Sequence, residues 1–252
     1  MKRCSIIVVL TLIAFSAVVA QEDQIPPPRR AHPQKVGALG GFTTGWLFLD
    51  AKPINSFLTG GKAGSVSEGG VFLMGGAGSA YIMVVRNFRV GGVGMSGSVS
   101  SSALDPATGV RRDAQLKAGY GALTFEYVVP LIERLDLIGG LALGTGGIDI
   151  ILRKSNGTQS TWNGEQASLG LTDISSTGNI TRTLSGKFYV WIPSVNLEYA
   201  FLGWLGMRAG VSYVGMSGPS WKVDDNFDLL NVPSGVNGKG WMINLGVLVG
   251  TF

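Results

Sequence analysis

Beyond Cys4 the chain has no cysteine, and its one histidine, His32, stands between Ala31 and Pro33. A chain without a second thiol has no disulfide framework and no cysteine-built metal site. A lone imidazole in a Pro-rich stretch likewise removes histidine-based catalysis, Ser–His hydrolysis included, from the whole of the later chain. Charge is scarce as well, with 14% of residues charged against 45% hydrophobic. Lys2 and Arg3 are two of the 20 basic residues and none of the 16 acidic ones lies in the first 20 positions, so the remainder carries 18 against 16, a net of +2. Its basic residues are scattered apart from Arg29, Arg30 and Lys35, which argues against a phosphate-tracking surface and so against a nucleic-acid partner. Long apolar runs are missing too. After residue 20 no window offers the roughly 18 apolar residues of a membrane helix.

At the start of the chain, Lys2 and Arg3 precede an apolar stretch from Ile6 to Phe15 and the small residues Val18 and Ala20. That order is the pattern of a secretory signal peptide, assigned to residues 1–20. Residues 21–36, which include "IPPPRRAHPQK", read as an extended, Pro-rich periplasmic linker. Residues 37–252 then form one β domain.

Glycine is in excess, 39 of 252 residues and about twice the usual frequency. The stretch "GGVGMSG" even contains a G-x-G-x-x-G at Gly92, Gly94 and Gly97. The next residues, "SVSSSALDPATG", cannot supply the helix whose N-terminus would hold a pyrophosphate. Gly92 and Gly94, with equivalents in "LGTGG" and "MGGAG", read instead as barrel-wall positions where a narrow lumen, a bulge or a neighbouring strand leaves no room for a side chain.

Eight strand-length segments come after the linker, at 37–50, 70–85, 88–100, 115–129, 135–153, 187–200, 205–217 and 240–252. The connections after the second, fourth and sixth are short turns, whereas those after the first, third, fifth and seventh are long and rich in Ser, Thr, Gly, Asn and Asp. In an up-and-down meander every second connection lies at the same end, so all the large loops share one mouth. The sixth segment, towards its end, and the seventh alternate. Tyr189, Trp191, Val195, Leu197 and Tyr199 oppose Ser194, Asn196, Glu198 and Ala200, and Leu205, Met207, Val211 and Tyr213 oppose Gly206, Arg208, Gly210 and Ser212. A barrel of eight strands holds only side chains inside, so the small and polar face is the interior and the large apolar face is the exterior.

This combination of signal segment, eight strands, one-sided loops and an apolar last strand ending "INLGVLVGTF" resembles the small outer-membrane barrels of Gram-negative bacteria, of the outer-membrane protein A and X type. The resemblance implies an eight-stranded antiparallel transmembrane β-barrel with short periplasmic turns and long outer loops, located in the bacterial outer membrane. It also implies that Phe252 is the assembly signal read by the barrel-insertion machinery. Phe252 stands off the parity of Trp241, Ile243, Leu245, Val247 and Val249, so either a bulge intervenes or the match to the signal is partial. "LTFEYVVPLIERLDL" and "VNLEYAFLGWLGM" each place Glu-Tyr before a turn, and Tyr127, Tyr199 and Trp204 are assigned to the membrane interface beside outer-membrane lipid.

Glu126, Glu198 and Arg208 are strand charges on the small, polar parity. A turn around Gly203 sets Glu198 opposite Arg208, and the three read as a lumen charge network that plugs the barrel, with a gate as the alternative. The carboxylates of "LDPATG" and "KVDDNFD" belong to outer loops and lack EF-hand spacing, and neither a metal nor a cofactor site is expected. "AKPINSFLTGG" suits a short helix or a plain loop at the outer mouth. The longest connection, Lys154 to Gly186, carries one aromatic, Trp162, and is the candidate binding loop for an extracellular ligand or surface. The function expected is therefore a non-enzymatic outer-membrane barrel with a structural or surface-interaction role. A passive pore for small solutes and a soluble lipocalin-like binder of an apolar ligand are the alternatives.

Overall fold

Strands with two unlike faces leave two unpaired edges if they form an open sheet. In the computed structural model, which describes residues 37–82, 84–155, 179–233 and 235–251, closure removes both edges. The elements in order are β1 (Ala38–Leu49), α1 (Lys52–Gly60), β2 (Val71–Tyr81), β3 (Phe88–Leu104), β4 (Arg111–Ile132), β5 (Leu135–Ser155), β6 (Ile180–Leu202), β7 (Leu205–Val223), β8 (Phe227–Asp228) and β9 (Gly240–Gly250). Each long strand pairs antiparallel with the next, β9 pairs with both β7 and β1, and β8 is a two-residue addition to the end of β7. The result is an eight-stranded up-and-down transmembrane barrel. The segments 1–20 and 21–36, Trp162 and Phe252 lie outside the described residues.

The large apolar residues face outward. Val195 is 59% exposed and Ile243 55%, while their neighbours Asn196 and Met242 are 5% and 2% exposed. A soluble barrel would invert this, because so broad an apolar exterior is stable only against lipid. On β6 the outward apolar band runs from Tyr189 to Phe201. Its twelve residue-to-residue steps at about 3.3 Å each, tilted by about 45°, project to about 28 Å, the thickness of a hydrocarbon core.

The strands are unequal. β1, β2 and β9 have 12, 11 and 11 residues, enough to span a membrane, whereas β4, β5 and β6 have 22, 21 and 23. Above the apolar band the outer face of this taller wall turns polar, with Ser98, Ser100 and Ser102 on β3 and Lys117 and Gln115 on β4. Two expected loops shrink as a result. The β3–β4 connection is the turn Asp105–Val110, and both ends of the expected loop from Lys154 to Gly186 are strand, since β5 runs to Ser155 and β6 starts at Ile180. Polar strand residues such as Thr181 and Arg182 look like loop by composition, but their backbone groups are satisfied by the neighbouring strand.

Helix α1 stands where the wall is low. Ile54 and Leu58, one turn apart, are each 1% exposed and pack into a cluster with Leu47, Leu116 and Ile150. Asn55 fastens the helix to the loop behind it: its Nδ2 donates to the Val66 carbonyl at 3.0 Å, and the Val66 N–H donates to its Oδ1 at 2.8 Å. Both bonds are buried, so Asn55→Leu strands two backbone groups and weakens this segment by about 1–3 kcal/mol. Amide exchange of the intact barrel checks this. Val66 should exchange faster while the β4–β5 amides hold their rates, and unchanged protection at Val66 would show that the clamp is not what holds the helix.

The glycines divide differently from the sequence reading. Gly75, Gly91 and Gly144 do lack room, since a Cβ there would run into the carbonyl oxygens of Gly94, Gly78 and Gly121 across the strand pairs. Gly92 and Gly94 do not. They are on the outward parity, and the nearest atoms to an added Cβ are 3.7 and 3.9 Å away. Close approach explains the inward glycines of "GGVGMSG" and leaves the outward pair without a packing reason.

Candidate functional site

Among the described residues the short-turn end of the lumen holds Arg89 on β3, Glu126 on β4, Asp136 on β5, Glu198 on β6 and Arg208 on β7; Asp136, 6% exposed, stands opposite Glu198, and the other four form a ring of ion pairs. Two come from register: Arg89 stands opposite Glu126, and Glu198 opposite Arg208. The cross-links then run over the lumen. Arg89 Nη1 and Nη2 donate to Glu198 Oε1 and Oε2 at 3.0 and 3.3 Å, a fork-to-fork pair. Arg208 donates from Nη1 to Glu126 Oε1 at 2.7 Å and from Nη2 to Glu198 Oε2 at 2.7 Å. The fourth side of the ring, Arg89 Nε to Glu126 Oε2 at 3.3 Å, is within ion-pair range but not aligned as a hydrogen bond. Arg89 is 0% exposed and its guanidinium lies 5.3 Å from the Tyr81 ring centre.

Glu126, Glu198 and Arg208 are thus brought together, and Arg89 is the member that the sequence reading missed. Its signal was present. It sits one residue past outward Phe88, on the inward parity of Gly91, Val93 and Met95. Each of the two glutamates is held between two guanidiniums, an arrangement that ties the strands together across the barrel.

Above the ring lies a small chamber of about 80 Å³ with a mostly apolar wall, including Leu39, Val93 and Leu248, into which Ser79, Asn196, Ser212 and Asn244 also face. Its ceiling is Tyr120, whose hydroxyl donates to Met95 Sδ at 3.1 Å and lies 3.9 Å from Met242 Sδ. From there outward the lumen is lined by large apolar side chains, including Leu73, Ile148, Phe188 and Trp221, up to α1. This departs from the expectation of a small-residue interior throughout. The taller wall extends beyond the bilayer, and there its inner face needs an ordinary hydrophobic core.

On the outside, Tyr127, Tyr199 and Trp204 are 48%, 41% and 57% exposed near the short-turn end, and the Tyr199 ring meets Phe201 edge-on at 5.0 Å. A second aromatic row at the other border was not anticipated. Trp46 meets Phe72 at 5.7 Å, and Trp191, Tyr213 and Trp241 follow in contact around β6, β7 and β9 at 5.7 and 5.4 Å. Such girdles mark the two membrane interfaces of a barrel.

The outer-end carboxylates serve the turns. Asp105 accepts from the Ala107 N–H at 3.1 Å, and the Thr108 hydroxyl and that N–H hold its carboxyl below the usual range. Asp224 is likewise held low, first by the Thr183 N–H at 2.9 Å and then by Arg182. Among the described residues no group of three or more His, Cys, Asp or Glu could hold a metal.

No protein-family model matches the chain, and no curated protein matches it. Solved structures to which it is similar include the N-terminal β-barrel domain of OprF from Pseudomonas aeruginosa, 12% identical, covering 86% of this chain and 98% of that one with a TM-score of 0.36. They include Ail, the attachment invasion locus protein of Yersinia pestis, 12% identical over 84% of this chain and 97% of that one, TM-score 0.32. A major outer membrane protein from Thermus thermophilus is 9% identical over 85% of this chain and 98% of that one, TM-score 0.43.

Proposed function

We propose that this protein is a resident barrel of a bacterial outer membrane, with a lumen that does not conduct and a working surface at the long-loop end. The observation that carries this reading is the cross-lumen ring of Arg89, Glu126, Glu198 and Arg208 beneath the Tyr120 layer. An ion crossing the barrel would have to break several buried charge-assisted bonds and then pass the apolar layer that contains Tyr120, Leu73, Ile148 and Phe188. The role is structural or adhesive rather than catalytic, a reading supported by the lack of any His or Cys in residues 37–252.

Two measurements test it. Purified protein in planar bilayers should give no discrete current steps, and repeated steps would favour the passive pore. In cells the protein should remain with carbonate-washed outer membranes and migrate differently in a detergent gel before and after boiling. Recovery in the soluble fraction with identical migration would favour the lipocalin-like binder.

A further inference from the structure

At the outer mouth the inner face of the taller wall rises past α1 and leaves a cleft of about 570 Å³, a size typical of small-molecule sites. Among the described residues its floor is apolar, with Phe57, Leu152 and Ile180, and its rim is cationic, with Arg112, Lys154 and Arg182. The two characters alternate because of strand pairing: Leu152 stands opposite Arg182, and Lys154 opposite Ile180. Arg153 adds a further cation, and the carboxylate that lines the cleft among the described residues, that of Asp113, is already engaged by Arg111 Nε at 2.9 Å. Phe57 and Ile180 are each 51% exposed at a level where the outside of the wall is polar, so lipid tails do not account for them. Two of the cations are pre-positioned. Asp224 holds Arg182, and Asp105 lies 4.0 Å from Arg112. A guanidinium has five N–H donors, so one carboxylate partner does not exhaust either fork.

We propose that this cleft binds a free anionic amphiphile, with a carboxylate or sulfate against Arg112, Lys154 and Arg182 and an acyl or aromatic tail over Phe57, Leu152 and Ile180. The cleft faces the barrel axis and β4–β6 stand between it and the bilayer, so the ligand enters from the aqueous side. The inference rests on the long-loop end being the working surface, as proposed above.

The test uses the full chain in phosphatidylcholine nanodiscs, which expose both ends, so binding is read whichever way the barrel sits in a cell. Titration with 4-phenylbutyrate should shift the Leu152 and Ile180 methyl resonances saturably. Its uncharged analogue, 4-phenylbutan-1-ol, should bind about tenfold more weakly or worse, and Lys154→Gln and Arg112→Gln should each weaken the acid by a comparable factor. Lys154 is an exposed side chain, so its replacement leaves folding intact. Equal binding of acid and alcohol, or shifts that never saturate, would overturn the proposal. So would binding that appears only after residues 158–177 are removed, because the cleft would then belong to that segment. None of these failures touches the non-conducting barrel, which current recordings decide separately.

Discussion

Arg89→Met lowers the stability of the lipid-embedded barrel by about 3–5 kcal/mol, because it leaves two buried carboxylates to share one guanidinium. Arg89 is 0% exposed, Glu126 is 5% and Glu198 is 2%, so water cannot take over the lost bonds. Arg89→Lys should recover only part of the loss, since an ammonium cannot reproduce the two parallel bonds to Glu198. The pairing is isolated by a double-mutant cycle. Adding Glu198→Gln to Arg89→Met removes the unbalanced charge and should restore roughly 0.5–3 kcal/mol relative to additive losses. Urea unfolding in phospholipid vesicles gives all four values. Strict additivity, or a loss below about 1 kcal/mol for Arg89→Met, would mean that the ring is solvated and not cohesive.

The second large effect concerns the exterior. Val195→Arg places a charge in the middle of the apolar band and should cost about 2–4 kcal/mol in vesicles, whereas Tyr189→Arg and Phe201→Arg at its borders should cost only about 0–1 kcal/mol. The contrast between centre and borders is the diagnostic, because an outward side chain on a water-exposed strand has no reason to depend on depth. A flat profile along β6 would place this face in water and revive the soluble-barrel alternative.

Strand number, order and polarity were legible because each rests on local chemistry. Period-two alternation in β6 and β7 assigns faces, and centring the turn on Gly203 sets Glu198 opposite Arg208, a register that the folded chain reaches with a tighter turn at Gly203 and Trp204 and an irregularity between Ala200 and Leu202. Arg89 was lost for the complementary reason. Its register with Glu126 depends on the outer β3–β4 turn, which looked long because "SSSALDPATG" and "RRD" are polar. In fact Ser102 pairs with Asp113 and Leu104 with Arg111, so most of that stretch is ladder. Strands that rise out of a membrane lose the apolar outer face by which they are recognised. The same effect hid the upper part of β6 and the cleft beside it, since Arg182 and Lys154 come to line one cleft only when β5 and β6 are extended into what reads as loop. The outward Gly92 and Gly94 show the opposite error: a reason was assigned to residues that the folded chain does not constrain.

The unequal wall also has a mechanical meaning. A closed ring under lateral load opens at its shortest seam, whatever the strength of the others. The β2–β3 seam runs only from Met74 to Tyr81, while β5–β6 is zipped from Leu135 to Lys154. Each added residue pair lengthens the zipper that must separate at once, so the tall sheet from β3 to β7 is expected to behave as one stiff plate and β1, β2 and β9 as the compliant flap that completes it.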